Sequence, residues 1–444
     1  MIRLFRVYVP ASTLGLFVWE ALLILSSFVF SAYLLLEVDP TDYLTSLTGV
    51  ASVFLVWLSI VLGIHFHDLY TQIRARSRLL LLQQLLIVAG VAFLLQALIS
   101  AVAPDLQIPL HVMLLGSLLW IVGILAGRLL FSAFVLPRVA VERWLLIGNS
   151  PLLEDLAGYL ARTPQAGIQL AGHIGGSAPA ETASSEAGVE ELAGSLEDRI
   201  QAFRPNRLVV GFESGPSHRL AHELLELRFS GRAIEDVAET YARVCNREGL
   251  SGMNAARLLD SQEFEPGTRA LFFQSIGDRL IAAAVLILLS PLLPLIAALV
   301  RLSSGGEALE RQLREGRDGP FTLYRFRVVG GTRAGRILAR TGLYAVPQFF
   351  HVLRGQMSIV GPRPERPEFE RELSRHIPFH PHRLKVRPGI TGWSQIHMRY
   401  LPEPRDAMVE LEYDLYYVKY ISPMLDLLVI AQAIKGLLVW GGQP

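Results

Sequence analysis

Long apolar runs in the first third of the chain restrict the folds that it can adopt. Each run reaches the roughly 20 residues that a helix needs to cross about 30 Å of hydrocarbon. Of the 444 residues, 51% are hydrophobic and only 18% are charged, which excludes a disordered chain or a nucleic-acid-binding tail. The sequence therefore predicts a membrane protein in which residues 1–138 form a four-helix transmembrane bundle. The runs are Gly15–Leu36, Leu47–Phe66, Leu79–Val102 and Pro109–Leu136.

Charged residues in the short loops orient these segments. Basic residues precede the first run, separate the second from the third and follow the fourth: Arg3, Arg6, Arg74, Arg76, Arg78, Arg138 and Arg143. The other loops carry acidic residues, namely Glu37, Asp39, Asp42 and Asp105. By the positive-inside rule, the N-terminus and everything after the fourth run face the cytoplasm. We therefore expect a multi-pass protein of a cytoplasmic membrane.

Two ionisable residues, Glu20 and Arg128, fall inside or near these runs. A charged side chain within a membrane is a candidate functional residue by default, because placing it there costs free energy. We favour the simpler interpretation, in which the two side chains reach the interface or pair with each other between helices.

Residues 139–265 change to short apolar segments that alternate with helix-like ones. We predict strands at 143–148, 168–174, 207–211 and 233–237, helices at 151–161 and 217–228, and a loop at 175–194. This alternation is typical of a parallel sheet covered by helices, so we predict an α/β, Rossmann-like domain. Its first turn, Gly148–Pro151, keeps only the first glycine of the dinucleotide fingerprint. A structural or regulatory role is therefore favoured over nucleotide binding.

A fifth apolar run, Leu280–Val300, carries Ser290 and Pro291 at its centre. Proline removes a backbone donor and clashes with the preceding turn, so the helix breaks there, and Ser290 can satisfy a freed backbone group. We predict a re-entrant membrane helix over 279–302, which enters and leaves the same leaflet. The alternative is a kinked fifth span that places the next domain across the membrane. Basic residues at both ends of the run, Arg279 and Arg301, disfavour that alternative.

Residues 266–444 carry several motifs in a fixed order. They are Asp278, Gln312–Gly316, Pro320–Arg327, Met357–Pro367, Pro388–Gln395 and Glu412–Tyr417. This set resembles the bacterial sugar transferases, the monotopic polyprenyl-phosphate hexose-1-phosphate transferases. Long members of that family also carry four N-terminal spans and a degenerate Rossmann-like domain, so the resemblance covers nearly the whole chain. It implies an α-rich phosphoglycosyl-transferase domain over 266–444.

The resemblance also implies a reaction. Family members move a sugar-1-phosphate from a UDP-sugar to undecaprenyl phosphate at the cytoplasmic face of the bacterial inner membrane, which begins the assembly of exopolysaccharide, capsule or O-antigen. An aspartate attacks the phosphoryl group, and a neighbouring glutamate helps to hold Mg²⁺, which offsets substrate charge. The expected partners are the lipid bilayer, undecaprenyl phosphate and a UDP-sugar, with no nucleic acid. A homodimer or a complex with an active relative is also expected.

Clustered arginines in the same domain fit a site for polyanions. Residues 311–366 contain eleven arginines against three acidic residues. Guanidinium groups bind phosphate in a bidentate manner. The predicted phosphate- or substrate-binding residues are Arg325, Arg327, Arg354, Arg363, Glu365 and Arg366. For Arg363, phosphate binding is favoured over contact with anionic lipid headgroups, whereas both stay open for Arg333, Arg336 and Arg340.

The sequence departs from the family at its catalytic position. Where the family has Leu-Asp-Glu-Leu-Pro-Gln, this chain has Leu343–Gln348, which places Tyr344 at the nucleophile position and Ala345 at the metal-ligand position. Alanine has no oxygen ligand for Mg²⁺, and the pKa of a tyrosine hydroxyl is ordinarily about 10. No intact catalytic pair and no metal site are therefore predicted, and binding of Mg²⁺ is in doubt.

Three functions remain open at this point. The favoured one is a catalytically silent member of the family, which binds a polyprenyl phosphate, a nucleotide sugar or an active relative and so scaffolds or regulates polysaccharide assembly. The second is an active transferase with a rearranged site, in which Glu365, Asp318 or Glu368 supplies the carboxylate chemistry. The third is a sensor formed by the helical bundle and the Rossmann-like domain.

Overall fold

The structure is a computed structural model that describes residues 2–4, 7–9, 11–36, 39–66, 78–130, 142–162, 168–175, 196–213, 215–251, 266–304, 306–398 and 407–440. The contacts divide the chain into two compact units, one made mainly of residues 9–144 and the other mainly of residues 145–444. Each unit is described by itself.

The first unit is built from apolar helices. Its elements are the helices α1 (Ala11–Leu35), α2 (Pro40–Thr45), α3 (Leu47–Phe66), α4 (Arg78–Val102) and α5 (Leu110–Leu130), and a 3-10 turn at Pro104–Leu106. The short strands β1 (Ile2–Leu4) and β2 (Val7–Val9) precede these helices, and residues 3–8 are grouped with the second unit. The four long helices coincide with the four predicted runs, and each is long and apolar enough to cross a membrane. The end of the fourth run, and most of the basic residues used to orient the segments, lie outside the described residues.

Helices α1 and α5 pack closely because small residues line their contact. A Cβ atom built on Gly116 would lie 2.6 Å from the ring of Phe28, and one built on Gly123 would lie 2.7 Å from Leu23. Glycine is therefore needed at both positions for the two helices to approach this closely. The Ser31 hydroxyl on α1 also donates to the Val112 carbonyl on α5 at 2.9 Å.

The ionisable residues of these two helices pair with each other, as predicted. Arg128 Nε donates to Glu20 Oε1 at 2.7 Å, and Arg128 Nη2 donates to Glu20 Oε2 at 3.1 Å. Glu20 is fully buried and Arg128 is 7% exposed. Two parallel bonds between a guanidinium and a carboxylate satisfy both charges at once, so neither is exposed alone to hydrocarbon.

An α/β region that belongs mostly to the second unit contains the predicted strands and helices in the predicted order, together with helices at Leu196–Phe203 and Val237–Cys245 that are not predicted from the sequence. Its elements are β3 (Glu142–Ile147), α6 (Pro151–Arg162), β4 (Ile168–Ile174), α7 (Leu196–Phe203), β5 (Arg207–Val210), α8 (His218–Phe229), β6 (Ile234–Asp236) and α9 (Val237–Cys245). The strand order is β4-β3-β5-β6, with β5 and β6 parallel. The amide of Gly148 bonds to the Ile174 carbonyl, and the amide of Gly211 bonds to the Ile147 carbonyl. The carboxyl ends of β3, β4 and β5 therefore lie side by side. Most of the predicted loop at 175–194 lies outside the described residues.

The fifth apolar run is broken where the sequence predicts it. Helix α10 covers Thr268–Leu289, and helix α11 covers Leu292–Ser304. Between them the Ser290 hydroxyl donates to the Ile287 carbonyl at 2.7 Å, which satisfies a backbone group at the break before Pro291. Helix α10 is itself long and apolar enough to cross a membrane.

The C-terminal region is mostly helical around a small aromatic core. Its elements are β7 (Leu309–Arg314), β8 (Phe321–Phe326), α12 (Arg333–Thr341), a 3-10 helix (Leu343–Gln348), α13 (Phe349–Leu353), β9 (Ser358–Val360), α14 (Pro367–His376), a 3-10 helix (His380–Lys385), β10 (Gly389–Thr391), α15 (Trp393–Met398), α16 (Ala407–Tyr420) and α17 (Pro423–Trp440). Helix α16 is buried on nearly all sides between Leu411 and Val418, so it forms the centre of this core. The core includes Trp393, Tyr416 and Tyr417.

Candidate functional site

A β-hairpin brings the first predicted arginines together. Strand β7 pairs with β8 in antiparallel register, with Glu310 opposite Arg325. Arg325 Nε donates to Glu310 Oε2 at 3.0 Å, and Gln312 Nε2 donates to Glu310 Oε1 at 2.7 Å. Partial burial raises the pKa of Glu310, but these hydrogen bonds and the charges of Arg325 and Arg327 together lower it below its ordinary value. Glu310 is therefore an anion that orients Arg325 and lies beside Arg327.

The last residue of β7, Arg314, reaches the proline-rich segment 361–367. Arg314 Nη1 donates to the Pro364 carbonyl at 3.1 Å and lies 3.8 Å from Glu365 Oε2. The other oxygen of this carboxylate, Glu365 Oε1, is 3.9 Å from Arg363 Nε. The backbone of the segment is attached as well, because the amide of Glu315 donates to the Glu365 carbonyl at 2.8 Å. The hairpin thus positions Arg363 and Glu365.

Positive charge accumulates at this junction. Burial lowers the pKa of Arg314, and the guanidinium groups of Arg363, Arg366 and Arg325 lower it further, although Glu365 acts in the opposite direction. The side chains of Arg325 and Arg363 are 30% and 35% exposed, so each is partly accessible to a ligand. We call this set the arginine group: Arg314, Arg325, Arg327, Arg363 and Arg366, with the carboxylates Glu310 and Glu365.

Another of the predicted phosphate-binding residues, Arg354, follows α13 and is exposed. Its charge contributes to lowering the pKa of His351 on that helix. The next residue, Gly355, lies near the guanidinium groups of Arg279 and Arg387. Arg387 Nη1 donates to the Ser275 hydroxyl at 3.0 Å.

A buried charge network, which the sequence did not reveal, lies beneath the arginine group. Arg383 Nη2 donates to the Arg363 carbonyl at 2.8 Å and lies 2.9 Å from Asp414 Oδ2. Glu370 completes the network, with Oε1 at 2.8 Å from His380 Nδ1 and Oε2 at 4.0 Å from Arg383 Nη1. Burial lowers the pKa of Arg383, but the carboxylates of Asp414, Glu410, Glu370 and Glu365 together outweigh it, so the net pKa is raised. Arg383 therefore stays charged and fixes the backbone that carries Arg363.

The position that the family resemblance predicts for the catalytic pair lies against the same hairpin. Tyr344 is half-buried and packs into an apolar cluster with Ile296, Val300, Phe326 and Leu338. Phe326 is the last residue of β8 and stands between Arg325 and Arg327 in the sequence, so Tyr344 packs next to the end of that strand. The backbone amide of Ala345 donates to the Gly342 carbonyl at 3.0 Å. The Tyr344 ring is thus part of the packing between the hairpin and α11.

Alanine at the predicted metal-ligand position removes an oxygen ligand. Mg²⁺ takes oxygen ligands in a near-octahedral arrangement, usually including a carboxylate. Ala345 offers none, and Glu310 of the adjacent hairpin is paired with Arg325 at 3.0 Å. Within the described ranges no group of three His, Cys, Asp or Glu residues is placed to hold a metal ion. A magnesium ion at this position would therefore have to be held by other residues or by the phosphates of a substrate.

A buried histidine supports the hairpin from α13. The amide of Tyr324 donates to His351 Nε2 at 3.2 Å, so Nε2 is the unprotonated ring nitrogen. His351 Nδ1 then donates to Gln356 Oε1 at 2.9 Å, and the ring stacks on Tyr324 at 5.5 Å. Burial lowers the pKa of His351, which agrees with a neutral ring. Sequence reasoning missed this residue, because a lone histidine in an apolar segment has no distinctive pattern.

The motif residue Asp278 has a structural contact. On α10, Asp278 accepts hydrogen bonds from the Ser358 hydroxyl at 2.6 Å and the Ile359 amide at 3.3 Å. Gln274, one turn earlier, donates to the Tyr417 hydroxyl at 2.7 Å. These contacts attach the broken apolar helix to strand β9 and helix α16, and thereby to the segment that precedes Arg363.

Comparison with known proteins agrees with these motifs. A family model described as bacterial sugar transferase matches residues 269–439. The UDP-N-acetylgalactosamine-undecaprenyl-phosphate N-acetylgalactosaminephosphotransferase of Aeromonas hydrophila is 36% identical over 185 residues, which are 37% of this chain and 44% of the relative. The UDP-glucose:undecaprenyl-phosphate glucose-1-phosphate transferase of Xanthomonas campestris pv. campestris is 27% identical over 351 residues, 70% of this chain and 71% of the relative.

A third relative is covered almost completely. The exopolysaccharide production protein PSS of Rhizobium leguminosarum bv. phaseoli is 34% identical over 173 residues, which are 33% of this chain and 86% of the relative. The chain spans about half the length of several other curated relatives that it matches. The family match covers the domain that carries the arginine group. The chain therefore belongs to the bacterial sugar transferase family.

Proposed function

We propose that this chain binds a phosphate-bearing substrate of polysaccharide biosynthesis, undecaprenyl phosphate or a UDP-sugar, and does not itself transfer the phosphosugar. One observation carries the proposal: the arginine group is fixed by a buried network, while the adjacent Tyr344 and Ala345 supply no carboxylate. Such a protein would act in polysaccharide assembly by presenting or sequestering a substrate, or by scaffolding an active relative.

The contacts of the arginine group support binding of a phosphate. Arg363 and Arg314 lie 3.9 and 3.8 Å from the Glu365 carboxylate, which are long distances for ion pairs. A phosphate that approaches as closely as about 2.8 Å gains more from the same guanidinium groups. Arg366 is exposed and adds a further cation at the same loop. The ligand would therefore displace Glu365 from Arg363 without breaking a short bond.

The test is binding and turnover by the full chain in nanodiscs. We expect undecaprenyl phosphate or a UDP-sugar to bind, with no transfer of labelled phosphosugar into extractable lipid in the presence of Mg²⁺. Arg363→Gln should weaken binding at least tenfold, because it removes a charged donor, whereas Arg371→Gln on the exposed side of α14 should not. Transfer of phosphosugar by the unaltered chain would refute the proposal that the chain is catalytically silent. Equal binding by the wild type and Arg363→Gln would refute the proposed site.

An active transferase with a rearranged site is a second candidate. It is favoured by the transferase names of relatives that match up to 70% of this chain. Of the carboxylates that could substitute, Glu365 lies within the arginine group, whereas Asp318 lies in the exposed hairpin turn and Glu368 is exposed in the first turn of α14. Replacing each by glutamine separates them. If the wild type is active, loss of turnover in Glu365→Gln alone identifies the replacement nucleophile or base.

The same proposal includes the arrangement in the membrane. We infer that residues 1–138 form a four-helix bundle of the inner membrane, that residues 139–265 and 266–444 are separate cytoplasmic domains, and that 279–302 re-enter the same leaflet. The break at Ser290 and Pro291 supports re-entry, as does the apolar, exposed surface of both half-helices. The variants Asp105→Cys and Asp318→Cys test this arrangement with a thiol reagent that cannot cross the membrane. Only Asp105→Cys should react when the reagent is added from the periplasmic side. Association with a second copy or with an active relative would be measured on the purified complex.

A further inference from the structure

An open cavity of about 530 Å³ lies in the α/β region of the second unit, and the proposed function does not use it. It is formed where β3, β4 and β5 end, by Gly148, Gly175 and Phe212 among others. In the sheet β3 has β4 on one side and β5 on the other, so the strand order changes direction at this point. Ligands of open α/β sheets bind in this crevice, and pockets of about 300–1,000 Å³ enclose small organic molecules.

The floor of the cavity is backbone, not side chain. Gly148 has φ +127°, and a Cβ atom built there would lie 1.8 Å from the Gly211 carbonyl oxygen. Only glycine fits, so the turn after β3 leaves its peptide groups directly beneath the cavity. Apolar side chains form the walls, which suits the flat face of an aromatic ring. They are Ile147, Ile174, Leu196, Phe212 and Leu220.

Two of the usual phosphate donors are missing at the start of the first helix of this region. The amide of Ser150 already donates to the Gly211 carbonyl at 3.2 Å. The next residue, Pro151, begins α6 and has no N–H group. A pyrophosphate bound in the usual dinucleotide position would therefore lack these two donors.

Helix α8 offers donors on the other side of the cavity. Its N-cap Ser217 lines the cavity and accepts from the Leu220 amide, so the amides of His218 and Arg219 retain no hydrogen-bond partner within the described residues. Arg219 and Glu223, one turn apart, also line the cavity and are joined at 3.1 Å. The Arg219 side chain is 85% exposed and can change partner, whereas Glu223 is 29% exposed. A cation and a carboxylate thus lie beside an apolar slot.

We propose that this cavity is a binding site for a nucleoside phosphate, separate from the arginine group. The base occupies the apolar slot over the glycine floor. The Glu223 carboxylate accepts hydrogen bonds from the ribose hydroxyls, which is the chemistry that identifies a sugar diol in α/β sheets. The phosphate lies at the start of α8, where Arg219 and the free amides meet it. The chain would then carry a second ligand site in a domain that has no part in the proposed substrate binding.

Calorimetric titration of the purified full chain with ADP, GDP, CDP and UDP, one at a time, tests the site. We expect at least one of them to bind with 1:1 stoichiometry at the cavity, and inorganic phosphate or the free nucleoside to bind at least tenfold more weakly. Glu223→Gln should weaken the nucleotide at least tenfold, because a charged acceptor is lost. Glu226→Gln is the matched control, since Glu226 lies on the same helix with a 70% exposed side chain and does not line the cavity. The affinity of Glu226→Gln for the nucleotide should match that of the wild type.

The alternative location is the arginine group, and Arg363→Gln distinguishes it. The proposal is overturned if no nucleotide binds the wild type at millimolar concentration. It is also overturned if binding survives in Glu223→Gln but is lost in Arg363→Gln, which would assign the nucleotide to the other site. Thermal unfolding of each variant shows that the folded state is retained, so that a loss of affinity reports on contacts with the ligand.

Discussion

The guanidinium of Arg383 donates to the carbonyl of Arg363 at 2.8 Å. The same Nη2 atom lies 2.9 Å from the Asp414 carboxylate. A single buried side chain thus connects the loop of the arginine group to the central helix of the domain. The position of Arg363 depends on this connection more than on its own ion pair, because its distance to Glu365 is 3.9 Å.

Removal of this cation should destabilise the domain. In Arg383→Gln the carboxylates of Asp414 and Glu370 stay buried without their guanidinium partner, and we expect a loss of about 3–5 kcal/mol in the free energy of unfolding. Thermal unfolding in detergent measures it. Arg375→Gln, on the exposed side of α14, should have no effect. Wild-type stability in Arg383→Gln would show that the network contributes nothing.

Acidification should destabilise the same domain through His397. Burial lowers the pKa of His397 from 6.5 to about 4, and the ring packs 4.1 Å from Trp393 and 5.0 Å from Tyr413. Between these two pH values the unfolded chain binds the proton and the folded chain does not, so the contribution of His397 to stability rises with pH from 4 to 6.5, by about 3 kcal/mol in all. Burial raises the pKa of Asp414 and of Asp426, and these two groups act in the opposite direction in both the wild type and the variant. The unfolding midpoint of the wild type relative to that of His397→Gln should therefore increase with pH across this range, and parallel profiles would contradict the assignment.

The segment after α9 should depend on an ion pair with α16. Lys419 Nζ lies 3.2 Å from Glu248 Oε1, and both side chains are largely buried. Lys419→Met removes a cation beside a buried carboxylate, which should cost about 3 kcal/mol. The double variant with Glu248→Gln should recover much of that loss, because no unpaired charge remains. Additive effects of the two substitutions in unfolding experiments would rule out their coupling.

The contact between α1 and α5 should tolerate no added methyl group at Gly116. Gly116→Ala places a Cβ atom 2.6 Å from the ring of the fully buried Phe28. We expect this overpacking to lower the free energy of unfolding by about 1–3 kcal/mol. Gly90→Ala is the matched change, since nothing lies within 4 Å of the new atom. Unfolding of both variants in the same detergent should separate them. Equal stability would mean that the two helices can move apart freely.

The sequence alone predicts those structural elements that depend on neighbouring residues. The length of the apolar runs, the break before Pro291 and the alternating segments of the α/β region each follow from neighbouring residues. Arg383 could not be found in this way, because its partners Arg363 and Asp414 lie 20 and 31 positions away, and only the fold brings them together.

The cavity in the α/β region illustrates a different limit of sequence reasoning. The turn after β3 departs from the dinucleotide fingerprint, and the structure gives the physical reason, since the Ser150 amide is already bonded and Pro151 has none. The donors at the start of α8 are not part of any fingerprint. Their approach to the glycine floor depends on the strand order β4-β3-β5-β6, which no short motif encodes.

The buried pair of Glu20 and Arg128 also affects how the protein is made. The two residues are 108 positions apart, so the ribosome finishes α1 long before it synthesises the partner of Glu20. A lone carboxylate within a bilayer costs free energy, on insertion scales up to about 2.5–3.5 kcal/mol at the centre, and this cost opposes release of α1 into lipid by itself. We expect the nascent α1 to remain beside the insertion machinery until α5 arrives. Membrane integration of this chain would then be a cooperative event completed by its last bundle helix.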